Sequence, residues 1–279
     1  MAEERIGPYT LEGVIGRGGM GVIYRARRDG REEAVALKVL PEELARSREY
    51  VKRFERESKL ALRVTHPNLV RALDSGNAGG RMYYAMELVE GMRLSDVLQA
   101  RGKLREIAAV GVGFDVAGAL TAIEAAGLVH RDVNPGNILV TREGVSKLMD
   151  FGLIKPAQED LMDVTAPDVA MGTPHTMSPE QAEGARDLDI RSDLYSLGCT
   201  VYQAVTGQNA FEGRSPPEII RRKLKEAPPD PRKLAPGLSE GTSRLILKAM
   251  ARRREDRFAS AAEMVRALEG RVAELGRGS

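Results

Sequence analysis

The chain has 279 residues, which is long enough to bury a sizeable core as one large domain or as two small domains packed together. Its formal net charge is only +2, with 42% hydrophobic and 29% charged residues, so composition favours a soluble globular protein over a nucleic-acid or membrane binder. The single cysteine, Cys199, excludes an internal disulfide, and no stretch approaches the roughly 20 apolar residues of a membrane helix. We therefore expect a cytoplasmic protein, or the cytosolic domain of a longer membrane-anchored one.

The first third of the chain predicts β-strands around one helix. Short β-prone runs are separated by glycine-rich turns, and a segment with helical spacing of apolar residues covers positions 47–64. Pro67 follows this helix as a stop signal. The predicted strands cover positions 9–15, 22–27, 33–39, 70–75 and 82–88.

From about Gly91 onwards the pattern changes to helices. The predicted helices cover positions 104–125, 190–206, 215–225, 240–251 and 260–275. The expected fold class is α+β, with two lobes. A small lobe (about 1–88) holds a five-stranded antiparallel sheet with one main helix, and a larger, mostly α-helical lobe (about 92–275) follows a hinge at about 87–91. A crevice between two such lobes is a favoured place for a ligand.

A glycine-rich turn lies between the first two strands, at Gly16-Arg17-Gly18-Gly19-Met20-Gly21. A dinucleotide-binding fold would instead place such glycines between a strand and a helix. Between two strands, glycines let the backbone of a hairpin approach phosphate groups without a Cβ in the way. An ordinary glycine-rich hairpin remains an equally good interpretation of this motif taken alone.

Lys38 ends the apolar run Val35-Ala36-Leu37 on the next strand. A buried lysine is costly unless it is paired, and Glu57, in the helix that follows, is the candidate partner. Glu55 is an alternative partner, and a lysine that reaches out to solvent is an alternative for Lys38 itself.

The densest cluster of chemically useful residues is His130-Arg131-Asp132-Val133-Asn134-Pro135-Gly136-Asn137, which precedes Asp150-Phe151-Gly152. Phosphoryl transfer from ATP needs an acceptor for the substrate proton, oxygen ligands for Mg²⁺ and positive charge near the phosphates. Asp132 can be the base, and Asn137 and Asp150 can be the metal ligands. Each of these residues alone could be an ordinary turn residue, but their order makes chance a poor explanation.

Together these motifs resemble the signature set of eukaryotic-like (Hanks-type) serine/threonine protein kinases of bacterial type. The resemblance runs from about Tyr9 to Leu268, so one kinase domain would occupy residues 1–279. It covers the glycine-rich loop (Gly16, Gly18, Gly21, Ile23), the lysine strand (Val35 to Lys38), the catalytic loop (His130, Arg131, Asp132, Asn137), the metal-binding triplet (Asp150 to Gly152) and Ser178-Pro179-Glu180.

The resemblance implies ATP and Mg²⁺, with Mn²⁺ as an alternative metal, as cofactors. It implies that Met86 closes the back of the adenine pocket and that Glu87 and Val89 offer backbone groups to adenine. The implied nucleotide-binding residues are Ile15, Gly16, Gly18, Gly21, Ile23, Ala36, Lys38, Met86, Glu87, Val89 and Leu139.

Further implied roles are structural or regulatory. Asp193 should hold the catalytic loop from a buried helix, and Glu180 should form a buried ion pair with Arg257. Arg131 could bind a phosphate on the activation loop, for which Thr165 is the best candidate. An exposed loop threonine with no such role is an equal alternative for Thr165.

Two residues depart from the family pattern. Asn134 stands where related kinases have a lysine that contacts the γ-phosphate, and losing that charge should cost on the order of 3 kcal/mol in the barrier, or about a hundredfold in rate. Thr176 replaces a usual aromatic in the segment that holds the substrate. Thr173 is kept, and it resembles the threonine that hydrogen-bonds the catalytic aspartate in serine/threonine kinases.

Three functions follow. The first is a slow protein kinase that phosphorylates Ser/Thr hydroxyls of proteins, including its own, with Asp132, Lys38, Glu57, Asn134 and Thr173 as catalytic residues. The second is a nucleotide-binding pseudokinase that acts as a regulatory or scaffolding module. The third, a small-molecule phosphotransferase, is disfavoured by the long segment between Asp150 and Glu180. Protein substrates and a homodimer through the small lobe are the expected partners, with no nucleic acid.

Overall fold

The structure is a computed structural model that describes residues 4–18, 21–150, 155–156 and 174–277. The chain divides into two compact units. The first unit holds the residues up to Glu90 together with Asp150, and the second holds Gly91–Met149 and the described residues from Lys155 onwards. The division after Glu90 coincides with the change from strands to helices in the sequence.

The first unit is built on an antiparallel sheet of six strands in the order β1-β2-β3-β4-β6-β5. Five strands were expected, and this count was wrong because β1 is a two-residue strand, too short for a sequence pattern to reveal. A one-turn helix, α1, was missed for the same reason. The elements are β1 (Arg5–Ile6), β2 (Tyr9–Gly18), β3 (Gly21–Arg28), β4 (Ala34–Val39), α1 (Glu42–Ala45), α2 (Arg48–Ala61), β5 (Ala72–Ala78) and β6 (Arg81–Glu87).

Strand β4 is buried on both faces, and its two faces serve different purposes. Side chains alternate along a strand, so Leu37 lies on one face and Ala36 and Lys38 lie on the other. The Leu37 face belongs to the apolar core of the unit, in which the rings of Tyr9 and Tyr83 meet edge to face at 5.5 Å between centroids. This core consists of Ile6, Tyr9, Ala26, Val35, Leu37, Val39, Tyr83 and Ala85.

The second unit is mostly helical, with three short strand pairings. Strand β9 lies between β10 and β7, and β11 pairs with β8. The elements are β7 (Gly91–Arg93), α3 (Leu94–Arg101), α4 (Glu106–Ala125), β8 (Leu128–Val129), a 3-10 turn (Pro135–Asn137), β9 (Ile138–Thr141), β10 (Ser146–Leu148), β11 (Lys155–Pro156), α5 (Pro179–Ala182), α6 (Ile190–Thr206), α7 (Pro216–Lys225), 3-10 turns (Pro231–Lys233 and Arg254–Asp256), α8 (Glu240–Ala249) and α9 (Ala261–Arg277).

Helix α4 corrects one expectation from the sequence. Among the described residues it is the one helix that is long and apolar enough to cross a membrane by length and composition. The sequence was expected to hold no stretch of about 20 apolar residues, and α4 has 20 residues. Half of its apolar window is buried inside the protein, and α4 packs against α6 and α9, so here it is a core helix.

Helix α6 is the most completely buried element of the second unit, and its ends follow directly from the sequence. The Asp189 side chain caps its N-terminus by accepting from the N–H of Arg191. Gly207 ends it in the left-handed conformation, at a φ of 77°. In its middle, a Cβ on Gly198 would lie 2.8 Å from the Cβ of Ala249, so glycine allows α8 to approach.

A buried ion pair joins α5 to the segment after α8. Two nitrogens of Arg257 donate to the two carboxylate oxygens of Glu180 at 2.7 and 2.8 Å, and Ser192 also donates to Glu180. This is the pair that the sequence predicted. Burial alone would raise the pKa of Glu180, but Arg257 and Ser192 outweigh it and lower the pKa to about 2.

We expect Glu180→Gln to lower the free energy of unfolding at pH 7 by about 3–5 kcal/mol, because Arg257 would keep a buried charge without its partner. The carboxylate stabilises the fold above its ordinary pKa of 4.5, and this contribution is lost as the pH falls toward about 2. The difference between wild type and variant should therefore narrow below pH 4.5 in urea unfolding. Glu240→Gln, which removes an exposed ion pair with Arg244, is the control. A difference below about 1 kcal/mol at pH 7 would contradict the argument.

Candidate active site

The first unit contains a buried cluster of charges around Lys38. The Nζ atom of Lys38 lies 2.7 Å from Oε1 of Glu57 and 2.8 Å from Oδ1 of Asp150. Lys38 and Glu57 are buried, whereas Asp150 is partly exposed. The predicted pairing of Lys38 with Glu57 is therefore present in the structure.

The geometry of α2 explains why Glu57 and not Glu55 meets Lys38. Phe54, Ser58 and Ala61 are buried at helical spacing, and Glu57 lies on the same face, whereas Glu55 is exposed. Helix α2 thus presents one carboxylate to the sheet, and this carboxylate faces the side of β4 that carries Lys38.

In this cluster, one ammonium group forms ion pairs with two carboxylates. Burial alone would lower the pKa of Lys38, but Asp150 and Glu57 together raise it, so Lys38 stays charged. Burial also raises the pKa of Glu57, while the charge of Lys38 acts in the opposite direction. The cluster is rich in negative charge and suits a site that also receives a cation.

Four of the predicted nucleotide-binding side chains lie on one face of the sheet. Ile23 pairs with Lys38 across β3 and β4, and Ala36 pairs with Met86 across β4 and β6. Directly paired residues share a face, and so do residues two apart on one strand. The opposite face belongs to the apolar core, so these four side chains lie on the face that is not part of that core.

The described residues on both sides of the glycine-rich turn pair as one hairpin. Gly16 pairs with Ile23, and Gly18 pairs with Gly21 at the end of the hairpin. A Cβ on Gly21 would lie 2.9 Å from the carbonyl oxygen of Val39, which leaves no room for a larger residue. Ile15 is exposed, at 51%.

The other predicted nucleotide residues lie elsewhere. Glu87 ends β6 and its side chain accepts from the N–H of Arg71 at 2.9 Å, while Val89 is half-buried beyond it. Leu139 lies in β9 of the second unit, paired with Arg93. Several predicted residues lie outside the described residues: Gly19, Met20, Phe151, Gly152, Thr165 and Thr173.

Asp132, the predicted base, is held by two neighbouring amides. Asn137 donates to its Oδ2 at 2.7 Å, and Asn134 donates to its Oδ1 at 2.8 Å. Both amides also donate to the backbone oxygen of Asp132. The carboxylate is therefore held on both sides by amide donors.

Asn134 has a local role that sequence reasoning missed. Its Oδ1 accepts from the N–H of Gly136 at 2.8 Å and caps the 3-10 turn Pro135–Asn137. The signal was present in the sequence, because Asn followed by Pro is typical of a turn start. Comparison with the family lysine drew attention only to the missing charge.

The backbone of the catalytic loop is strained and is held from α6. Arg131 has a φ of 69°, which is rare for a residue with a Cβ. The fully buried carboxylate of Asp193 accepts from the N–H groups of His130 and Arg131, each at 2.7 Å. Burial raises the pKa of Asp193 to about 7, although these two N–H groups favour its ionised form.

The donor set suits magnesium better than a metal that needs a full protein cage. Among the described residues, no group of three or more His, Cys, Asp or Glu side chains could hold a metal ion. Mg²⁺ binds one or two protein oxygens and takes the rest of its shell from phosphates and water. Asn137 and Asp150, the predicted metal ligands, lie in different units, and each carries a side-chain oxygen donor.

A family model described as "Protein kinase domain" matches residues 9–267, which is most of the chain. The chain therefore belongs to the protein kinase family.

Its relatives are bacterial serine/threonine kinases. A probable serine/threonine-protein kinase of Clostridium perfringens, CPE1738, is 38% identical over 261 residues, covering 94% of this chain and 38% of that protein. PknB of Mycobacterium tuberculosis is 37% identical over 260 residues (92% and 41%), and pkn3 of Myxococcus xanthus is 40% identical over 262 residues (91% and 48%). The chain spans less than half of each of these relatives.

Solved structures agree with this assignment. The kinase domain of PknI from Mycobacterium tuberculosis has a TM-score of 0.73 at 29% identity, and the match covers 97% of this chain and 99% of that domain. The α+β kinase fold and the bacterial Hanks-type assignment predicted from the motifs are both confirmed.

We expect Asp193→Asn to destabilise the protein, because the amide group cannot accept from two N–H groups as a carboxylate does. A buried N–H without a partner costs about 1–3 kcal/mol, so the variant should lose at least that amount in urea unfolding. Asp187→Asn is a matched control, since Asp187 is 79% exposed and pairs with Arg254 at the surface. Equal losses in both variants would mean that Asp193 does not hold the loop.

Proposed function

We propose that the chain is a serine/threonine protein kinase domain that uses Mg-ATP to phosphorylate hydroxyl groups of proteins, including its own. The observation that carries the proposal is the buried contact of Lys38 with Glu57, 2.7 Å apart. A buried lysine held by a helical glutamate is the arrangement that protein kinases use to engage the phosphates of ATP. The glycine-rich turn and the clamped Asp132 support the same function.

Each residue then has a defined task. Asp132 accepts the proton of the attacking hydroxyl, and its two amide donors keep its carboxylate in one orientation. Lys38 supplies positive charge to the phosphates, and Glu57 keeps Lys38 in place. Asn137 and Asp150 provide the oxygen ligands for Mg²⁺, which when bound neutralises phosphate charge. The backbone of the turn from Gly16 to Gly21 covers the phosphates.

We propose that transfer is slow because Asn134 brings no charge to the phosphates. Both amide hydrogens of Asn134 are already used by Asp132, so the residue orients the base and does not replace the missing cation. The lost electrostatic contact is worth on the order of 3 kcal/mol of barrier, which corresponds to about a hundredfold in rate.

A nucleotide-binding pseudokinase is the second candidate, and Asn134 with Thr176 favours it. Thr176, which departs from the usual aromatic of the family pattern, is buried, at 4% exposure. A domain of this kind would bind ATP and act as a scaffold without transferring phosphate. The retained set of Lys38, Glu57, Asp132 and the two metal ligands favours the active kinase.

We propose protein partners and a cytoplasmic location, where ATP is available. The relatives are named as serine/threonine-protein kinases, which supports a protein acceptor. A homodimer through the first unit stays a prediction, as do the roles of Thr165 and Thr173, which lie outside the described residues.

Incubation with Mg-ATP should raise the intact mass of the purified chain in steps of one phosphate. Asp132→Asn is the control, because it removes the base with little change in size, and it should gain no phosphate. A wild-type chain that gains none, while ATP still raises its melting temperature, would contradict the kinase proposal and favour the pseudokinase.

Asn134→Lys should raise the rate of phosphate gain, by up to about a hundredfold, because it restores a cation next to Asp132. The same change removes the cap of the 3-10 turn and should cost about 1 kcal/mol of stability, visible in urea unfolding. Asn134→Met is the matched control, with similar length and no charge. A lysine variant that is no faster than the methionine variant would show that charge at position 134 is not what limits transfer.

A further inference from the structure

Helix α7 carries a buried lysine that the kinase motifs do not use. Lys223 is 1% exposed, and its Nζ donates to the carbonyl oxygens of Pro174, His175 and Met177 at 2.8, 2.9 and 2.5 Å. An ammonium group has three donors, so all three are engaged by one short stretch of backbone. We call positions 174–177 the anchored segment.

The surroundings of Lys223 fit a cation but do not neutralise it. Its Nζ lies 5.3 Å from the ring centre of Tyr195 and 6.0 Å from that of Phe211, at the range of cation–π attraction. Within the described part of the chain, no carboxylate forms an ion pair with Lys223. Burial lowers its pKa to about 8.

Packing alone does not explain why a lysine is buried here. Placing an unpaired charge in the core costs free energy, and an apolar side chain of similar size would fill the same volume without that cost. An apolar side chain could not bind three carbonyl oxygens that converge from four residues. The feature that requires lysine is therefore the conformation of the anchored segment.

The anchored segment is linked to the catalytic loop through one further side-chain contact. Ser178 follows it and forms a capping box with Gln181 at the start of α5. The side chain of Gln181 then donates to the backbone oxygen of Arg131 at 2.9 Å, next to Asp132. Lys223 and Gln181 thus fix the segment between α7 and the loop that carries the base, all within the second unit.

We propose that Lys223 is a positioning residue for the protein acceptor: it holds the anchored segment in the conformation against which the polypeptide substrate docks beside Asp132. The proposal rests on the proposed kinase function, because it concerns binding of the acceptor. It separates acceptor binding from nucleotide binding, since none of the contacts of Lys223 involves a residue assigned to ATP.

Lys223→Met tests this proposal, with the Asp132→Asn chain as the acceptor protein. We expect the KM for this acceptor to rise at least tenfold, with the KM for ATP and the ATP-induced rise in melting temperature unchanged. Lys225→Met is the matched control, because Lys225 lies exposed on the same helix and should change neither constant. Equal weakening of ATP and acceptor, or no change in either, would overturn the proposal.

Hydrogen–deuterium exchange supplies a readout that does not depend on activity. In Lys223→Met, exchange should rise at least tenfold in a peptide covering positions 174–178 and stay unchanged in α4. Unchanged exchange at 174–178 overturns the proposal even if the wild type proves to be inactive. A wild type that transfers no phosphate contradicts the kinase function alone, because the exchange result still decides whether Lys223 orders the segment.

Lys223→Arg decides the matter if the methionine variant fails to fold. It keeps the buried charge, but a guanidinium is larger and directs its N–H groups within one plane, so it fits these three carbonyls less well than an ammonium does. We expect a folded protein with an intermediate KM for the acceptor and intermediate exchange at 174–178. Wild-type values of both in Lys223→Arg would show that any buried cation suffices, which would overturn the positioning role.

Discussion

The catalytic loop depends on one fully buried carboxylate. Asp193 projects from the interior of α6 and accepts from two successive backbone N–H groups, and this holds Arg131 in a conformation that it would not adopt alone. Asp132 is the next residue in the chain, so the backbone conformation at Arg131 sets the direction of the Asp132 side chain. Helix α6 can supply this anchor because it is buried almost all round and cannot shift without disturbing α4 and α8.

Charge is distributed differently in the two units. In the first unit, one lysine lies between two carboxylates, so the cluster has an excess of negative charge that a cation would balance. In the second unit, Lys223 carries an excess of positive charge among carbonyl oxygens and aromatic rings. Tyr195 contacts both this lysine and Arg257, whose guanidinium lies 4.8 Å from its ring centre, so one aromatic side chain supports two buried cations.

Sequence patterns predicted the elements that have a strong period and clear ends. Helix α6 was predicted with the bounds that the structure has, with Gly207 as the signal for its end, and the structure adds Asp189 as the cap of its start. The two-residue β1 and the one-turn α1 could not be predicted, since neither is long enough to show a period. The motif residues were identified from spacing and resemblance, and the choice of Glu57 over Glu55 agrees with the apolar face of α2.

The sequence could not reveal contacts between distant residues that belong to no motif. Lys223 looks like any basic residue in Arg221-Arg222-Lys223, and only the packing of α7 places it in the core. The second role of Asn134 was hidden for a different reason, because its amide serves its immediate neighbours. Lys223 donates to backbone oxygens and Asn134 accepts from a backbone N–H, and such contacts leave no partner side chain to recognise in a sequence.

Helix α4 has a consequence for how the protein is made. This segment has the length and hydropathy of a membrane span, and in the folded chain it packs against α6 and α9. Both of those helices are later in the chain, so during synthesis α4 leaves the ribosome before its partners exist. Over that interval the growing chain exposes a surface that chaperones, or a lipid bilayer, can bind. Packing of α6 and α9 onto α4 ends this exposure, which is a demand of folding and not of catalysis.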